Sequence, residues 1–151
     1  MILLQKKMLE IGSYLLEIFP EQTKAVYEEI PVYRGENEAV RYFHHLLPKA
    51  EKESVFFLES LGIDVGKISV ARPLTAPDEK GEILYLGTAR FCGKVLRGGD
   101  TTPRQSEEIA GISAVFVSER KDFTPSIDFS SEVQSEIRFV IPLPFDPTFF
   151  E

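Results

Sequence analysis

Ser135 and Glu136 are the residues of this sequence best placed to contact a small molecule. They follow a loop rich in Pro, Asp and Ser, within the stretch FTPSIDFSSEVQSEIRFVIPLP (residues 123–144), and precede an apolar run. A polar loop that brings a hydroxyl and a carboxylate to the end of a buried strand is one way to line a ligand pocket. In that interpretation the Glu136 carboxylate holds a cationic or amide group. The alternative is that Ser135 ends a turn and Glu136 forms a surface ion pair with Arg138.

Cys92 is the only cysteine and the one candidate nucleophile of a thiol enzyme. An arginine and a lysine lie two positions away on either side, and nearby cations favour the reactive thiolate. Such an enzyme would use His44 or His45 as its base. Asp100 or Glu136 would then orient that base. The alternative is that Cys92 is a small buried residue at the end of a strand.

The adjacent pair His44-His45 does not predict a metal site. Neighbouring residues on a helix point about 100° apart, so the two rings cannot easily share one ion. A single cysteine also excludes a cysteine-rich zinc site and a disulfide within the chain. Residues 98–102 precede a helix start that could hold an anion, but a turn followed by a helix cap accounts for them. The sequence therefore predicts no metal and identifies no cofactor.

The composition indicates one globular domain and disfavours two classes of function. Of the 151 residues, 43% are hydrophobic and 27% are charged, which is an ordinary globular balance. The 17 basic and 24 acidic residues give a net charge of −7, and an acidic surface repels a nucleic-acid backbone. No apolar stretch approaches the roughly 20 residues that span a bilayer. We therefore expect a cytoplasmic protein that binds neither nucleic acid nor a membrane.

The first 62 residues are predicted to be mostly helical. Residues 1–19 place apolar side chains on one helix face at intervals of three and four; these are Leu4, Met8, Ile11, Leu15 and Ile18. Further apolar residues widen this stripe, which predicts a homodimer formed through the 1–19 helix; the alternative is that this helix packs on its own domain. Three shorter helices are predicted within residues 21–62, one with Asn37 as its N-cap and the last ended by Gly62.

Sheet-forming patterns follow the helical part. Residues 67–91 are predicted to form an antiparallel hairpin around a Pro/Gly-containing turn. Gly87 in the second strand indicates a bulge or the close approach of another group. Residues 112–117 and 137–143 are predicted as two further strands, and Pro142 indicates that the last one ends at an edge or bulge.

The arrangement of residues 67–144 resembles the GAF family. Two strands, a short helix starting at Thr102, another strand and a polar loop are followed by the closing motifs SEI (residues 135–137) and IPL (residues 141–143). The resemblance implies an antiparallel sheet flanked by helices that binds a small molecule or acts in signalling. It also implies a ligand site between the sheet and two loops, at residues 91–100 and 122–136.

Together these features predict an α+β fold, an antiparallel GAF-like sheet flanked by helices, with a helical N-terminal third. One domain is predicted, with residues 1–62 mostly helical, residues 63–144 as the sheet-containing core and residues 145–151 as a tail. The predicted ligand-binding residues are Tyr85, Phe91, Cys92, Asp100, Asp128, Ser135 and Glu136.

The expected function is small-molecule binding or sensing without catalysis. Two alternatives remain open. One is a small redox or hydrolytic enzyme that uses Cys92. The other is a protein-interaction subunit, in which the N-terminal helix and the Phe-rich tail bind a partner and the pocket is vestigial. The sequence does not identify the ligand.

Overall fold

The computed structural model describes residues 6–12, 14–98, 110–119 and 134–150. In these ranges the strands are Lys7–Ile11 (β1), Tyr14–Ile18 (β2), Val70–Pro73 (β3), Glu82–Arg97 (β4), Ala114–Glu119 (β5) and Gln134–Pro144 (β6), and the α-helices are Pro20–Glu28 (α1), Glu38–Leu46 (α2) and Lys52–Ser60 (α3). Short 3-10 turns lie at Leu47–Lys49, Val65–Lys67 and Pro147–Phe150. None of the helices in these ranges is both long and apolar enough to cross a membrane.

The long strand β4 connects the sheet, in which the described strand pairs are all antiparallel. One edge of β4 pairs with β6, and the other pairs with β3 near its start and with β2 near its end. The strand order is β1-β2-β4-β6-β5, with β3 also beside β4. β5 covers β6 only over residues 135–140. Pro142, which has no N–H to donate, lies beyond the residues that pair with β5.

The prediction of a helical N-terminal third is wrong, because residues 7–18 form the β1–β2 hairpin. Gly12 lies between the two strands with φ +56°, a left-handed conformation that tight hairpin turns favour. Tyr14, Leu16 and Ile18 are buried, which is the two-residue period of a strand. The fold is α+β, mainly an antiparallel sheet of six strands with three short helices in the described part. The helix predicted to carry a dimer interface is therefore absent from residues 7–18.

The helices occupy residues 20–60, and their ends follow sequence signals. α1 begins at Pro20, whose fixed φ suits the first helical position. α2 follows Asn37, whose side-chain oxygen accepts a hydrogen bond from the Val40 N–H at 3.2 Å. Gly62 follows α3 with φ +91°, the left-handed conformation common after a helix. The predicted N-cap and C-terminal glycine are confirmed.

The hydrophobic core lies on the face of the sheet that α2 covers. Alternate strand residues are buried there, among them Tyr85, Phe91 and Phe139. The Phe43 ring of α2 lies 5.5 Å from the Tyr85 ring and 6.4 Å from the Phe139 ring, between centroids. Gly87 is opposite Phe139 in the β4–β6 pair, and a side chain at Gly87 would collide with that ring. The close approach predicted at Gly87 is therefore confirmed.

Helix α1 closes a gap in the edge of the sheet. Between its pairings with β3 and with β2, β4 has no described strand beside it on that edge. The Cys92 N–H donates to Thr23 Oγ1 at 2.9 Å, and the Cys92 carbonyl accepts from the Phe19 N–H at 3.0 Å. The Tyr27 hydroxyl donates to the Arg90 carbonyl at 2.8 Å, and burial raises the pKa of Tyr27, which keeps this donor protonated. The helix thus satisfies backbone groups that a strand would otherwise pair.

The C-terminal residues dock on α2 through Tyr42. Its hydroxyl accepts from the Asp146 N–H at 2.7 Å and donates to the Asp146 carbonyl at 3.1 Å. The Phe149 ring lies against Tyr42 and His45, with centroid distances of 5.0 and 4.9 Å. Hydrogen bonds from His45 and then Thr148 hold the pKa of the Asp146 carboxyl well below its usual range. The tail therefore packs on its own domain.

Candidate functional site

The face of the sheet opposite the core, which we call the outer face, carries charged side chains in cross-strand rows. Directly paired residues on β3, β4, β6 and β5 point to the same side of an antiparallel sheet. One row contains Val70, Thr88, Arg138 and Phe116, a second contains Arg72, Leu86, Val140 and Ala114, and a third contains Arg90, Glu136 and Ser118. Three arginines from three strands therefore share one surface.

A cleft of about 550 Å³ opens on the outer face near the end of α1. Strands β3, β4 and β6 form its floor, and Tyr27, Ile30 and residues 67–69 form its wall. Small-molecule sites typically have volumes of roughly 300–1,000 Å³. The cleft is therefore large enough for a metabolite-sized ligand.

Cationic side chains dominate this cleft, which we call the cationic cleft. Its described lining contains Lys67, Arg72, Arg90 and Arg138, with Glu136 as its carboxylate, so the formal charge is +3. The whole chain, in contrast, has a net charge of −7. A concave surface of one sign concentrates ions of the opposite sign, and guanidinium groups bind carboxylates and phosphates in a fork-like geometry. The cleft is suited chemically to an anion.

Glu136 is buried within the cleft and orients one of its cations. Its side chain is 4% exposed, whereas that of Arg138 is 61% exposed. Glu136 Oε1 accepts a hydrogen bond from Arg138 Nε at 3.0 Å, and Arg90 is directly opposite Glu136 on β4. Because the contact uses Nε, the terminal nitrogens of Arg138 can still bind a ligand. The ion pair with Arg138 expected from the sequence is present, but it lies in a cleft.

Hydrogen bonds fix the wall of the cationic cleft. The Lys67 ammonium donates to the Tyr27 carbonyl and lies 3.8 Å from the Asp64 carboxylate. The Tyr27 hydroxyl in turn holds the Arg90 carbonyl of β4. The wall is thus tied both to the end of α1 and to the floor, which keeps Lys67 in place before a ligand binds.

The structure places two of the predicted ligand residues, Tyr85 and Phe91, in the core. Both are fully buried on the inner face. The Tyr85 hydroxyl donates to the Ala39 carbonyl. Burial, with a smaller contribution from Tyr42, raises the pKa of Tyr85 to about 12. These rings support the cleft from behind and do not line it.

Cys92 is also in the core. Its thiol is free of any disulfide and fully buried, and its backbone groups are bound to α1 as described above. A thiol nucleophile needs access to its substrate and an environment that stabilises the thiolate. The position of Cys92 matches the alternative of a small buried residue.

Ser135 and Glu136, although adjacent, are on opposite faces of β6. Ser135 is fully buried, and its hydroxyl donates to the Gly93 carbonyl at 2.9 Å. Only Glu136 lines the cationic cleft. Asp100 and Asp128 lie outside the described residues, as does the predicted helix start at Thr102.

The two histidines make separate contacts. His44 Nε2 lies 2.7 Å from the Ile68 carbonyl oxygen, and His45 Nε2 lies 2.7 Å from Asp146 Oδ2. Neither ring lines the cationic cleft. In the part of the chain that the structure describes, no group of three or more His, Cys, Asp or Glu residues is arranged to hold a metal ion.

Sequence reasoning missed most of the residues that form the cationic cleft. Three arginines each occupy an outward-facing position of a predicted strand: Arg72, Arg90 and Arg138. Their common place in the alternation of side chains was the signal that the sequence offered. The overall negative charge concealed it, since a net charge does not report where the cations gather. Lys67 gave no such signal, because its place in the wall depends on the fold.

No family model matches this chain, and neither the curated proteins nor the solved structures include one that is significantly similar to it.

Proposed function

We propose that this protein binds a small anionic molecule in the cationic cleft and acts as a binding or sensory module without catalysis. The observation that carries this proposal is the gathering of four cationic side chains in one cleft of an acidic chain. An acidic surface repels anions in general, whereas a local cluster of cations attracts them.

The lining also indicates the kind of anion. Arg72 and Arg138 come from strands on either side of β4, so they can hold a carboxylate or phosphate from two directions. Thr88 lies between them with a hydroxyl that donates or accepts, and Leu86 adds apolar surface. A compact phosphate ester, or a carboxylic acid with a short apolar part, fits this combination.

The surroundings of Cys92 favour binding over the cysteine-dependent reaction considered above. Its thiol is fully buried and does not line the cationic cleft, so a ligand in the cleft would not meet it. The His44 and His45 rings also contact groups outside the cleft. A ligand held there would encounter cations, one carboxylate and hydroxyl groups.

Isothermal titration calorimetry with inorganic phosphate and citrate at low ionic strength tests this proposal. We expect saturable binding that weakens with added salt. The single variants Arg72→Gln and Arg138→Gln should each bind about tenfold more weakly, which corresponds to the loss of one charge-assisted hydrogen bond. Arg41→Gln is the matched control, because Arg41 is an exposed arginine on α2 that does not line the cleft.

The control is essential because phosphate and citrate stabilise many proteins without binding to a site. Thermal stabilisation that is the same in the Arg72→Gln/Arg138→Gln double variant and in Arg41→Gln would therefore refute the proposal. The proposal would also be refuted if calorimetry showed no saturable binding of phosphate and none of citrate.

Self-association is a separate proposal. We infer a homodimer because the N-terminal sequence has many apolar residues. The interface would not be the predicted helix, since residues 7–18 form a hairpin. Light scattering at several concentrations measures the mass directly, and a monomer throughout would contradict this inference.

A further inference from the structure

A second concave surface, which we call the apolar groove, lies between α2, α3 and the 3-10 turn Val65–Lys67. Its volume is about 720 Å³, and apolar side chains form most of its lining. The Phe56 side chain on α3 is 72% exposed and joins the other apolar side chains of the lining in one apolar patch. The groove shares no lining residue with the cationic cleft.

Helix α3 divides its residues between the core and the groove. Ser54 and Leu58, four residues apart, are buried. Val55, Phe56 and Glu59 lie on an adjoining face and line the groove, as the spacing of three and four residues requires. The helical spacing of the sequence thus places these apolar side chains together on one exposed face of α3.

His44 is a polar group of fixed orientation in this groove. Its Nε2 lies 2.7 Å from the Ile68 carbonyl oxygen. Because a carbonyl oxygen only accepts, Nε2 must carry the proton, and Nδ1 of the neutral ring is then an acceptor. Within the described residues Nδ1 has no hydrogen-bond partner. The Tyr33 ring stacks on the imidazole at 5.8 Å and the Phe43 ring contacts it at 5.5 Å, so the ring is held in place.

The charged residues of the groove disfavour an anion. Lys52 contributes one positive charge, and Glu53 and Glu59 contribute two negative charges, so the formal charge of the described lining is −1. An anion would therefore be repelled here, in contrast to the cationic cleft. A neutral group that donates a hydrogen bond meets no such penalty and pairs with the His44 acceptor.

From these features we propose that the apolar groove binds a predominantly apolar small molecule whose polar end is an N–H or O–H donor, accepted by His44 Nδ1. A volume of about 720 Å³ accommodates two or three fused or linked rings, within the usual range of small-molecule sites. The inference is independent of anion binding, because the two sites have different lining residues.

The test compares 2-phenylindole with 1-methyl-2-phenylindole, which lacks the donor N–H. The chain contains no tryptophan, so the fluorescence of either probe can be followed without an indole background from the protein. We expect 2-phenylindole to bind saturably and the N-methyl compound to bind about tenfold more weakly, the usual effect of one buried hydrogen bond.

Three variants locate the binding. His44→Phe keeps an aromatic ring beside Tyr33 but removes the acceptor, so it should bind both probes with equal affinity. Phe56→Ala alters an exposed side chain and should weaken both probes severalfold. Leu96→Ala removes a comparably exposed apolar side chain elsewhere, 45% exposed on β4, and should change neither affinity.

Equal affinities of the two probes for the wild-type protein would overturn the proposal, as would the absence of saturable binding. If His44→Phe fails to fold, the wild-type comparison and Phe56→Ala still decide the question. If a second copy of the chain covers the groove instead, light scattering will show a dimer that Phe56→Glu dissociates, and that result also excludes the proposed ligand.

Discussion

The two faces of the sheet are built from the same strands but have opposite chemistry. On the inner face, Phe139 and its neighbours pack beneath α2 and exclude water. On the outer face, Arg138, the next residue before it, is exposed and paired with a carboxylate. Because side chains alternate along a strand, a shift of one residue exchanges the two environments. Residues that are adjacent in sequence therefore belong to different parts of the molecule, one to the core and the other to the proposed anion site.

The largest effect on stability should come from removing a buried side chain of the inner face. Phe139→Ala removes a fully buried ring and should lower the free energy of unfolding by about 3–5 kcal/mol. Phe116→Ala is the matched change on the outer face, where Phe116 is beside Arg138 and half-buried, and it should cost about 1 kcal/mol. Urea denaturation measures both. Equal losses would mean that the two faces do not differ as described.

A buried polar contact should have the next largest effect. Thr23→Val keeps the shape of the side chain but leaves the buried Cys92 N–H without its acceptor, at a cost of about 1–3 kcal/mol. In the control Thr75→Val, the lost acceptor is that of the Leu84 N–H in an exposed position, where water can replace it. Chemical denaturation of both variants should show the larger loss for Thr23→Val, and the reverse order would contradict this account.

On the outer face, charge should matter more for affinity than for stability. Glu136→Gln removes the negative charge from the cleft and should strengthen phosphate binding by about 1 kcal/mol, or about fivefold. Glu59→Gln, in the apolar groove, should leave phosphate affinity unchanged. Calorimetric titration compares the two variants. Weaker binding by Glu136→Gln would show that the carboxylate contributes to ligand binding through more than its charge.

The smallest effect should be an acid sensitivity outside both faces. The contacts of Asp146 with His45 and Thr148 depress its pKa in the folded chain, so they stabilise the fold fully above the ordinary carboxyl pKa of about 4. This stabilisation is lost as the pH falls from there towards the lower folded value. Urea titrations at pH 7 and pH 3 should show a smaller acid-induced loss for Asp146→Asn than for wild type. An identical loss would assign the sensitivity to other groups.

Local signals in the sequence predicted the helices within residues 20–62 and the main strands correctly. Asn37, Gly62 and the alternation in β4 and β6 each act within a few residues of themselves, so they can be recognised without the fold. The helix prediction for the N-terminal segment was wrong because the apolar residues there fit both the period of a helix and the two-residue period of a strand. Gly12, which would weaken a helix at this position, instead supports the turn of a hairpin.

The candidate site was predicted only at Glu136. The sequence indicated that a polar segment meets an apolar strand there. The prediction placed Ser135 in the same pocket as Glu136, although adjacent residues of a strand point to opposite faces. The cations of the cleft come from β3, β4, β6 and the wall at Lys67. Which strands are neighbours depends on long-range pairing, and no local pattern reports that pairing.

Helix α1 has a consequence for how the protein behaves at high concentration. An unpaired strand edge is a template to which the strand of another molecule can add, and this is a route to aggregation. The nine-residue α1 occupies that position on β4 through Thr23 and Tyr27. Detachment of this one helix would expose the backbone groups of Arg90 and Cys92 in the middle of the longest strand. The colloidal stability of the protein therefore depends on how firmly this one helix is held against β4.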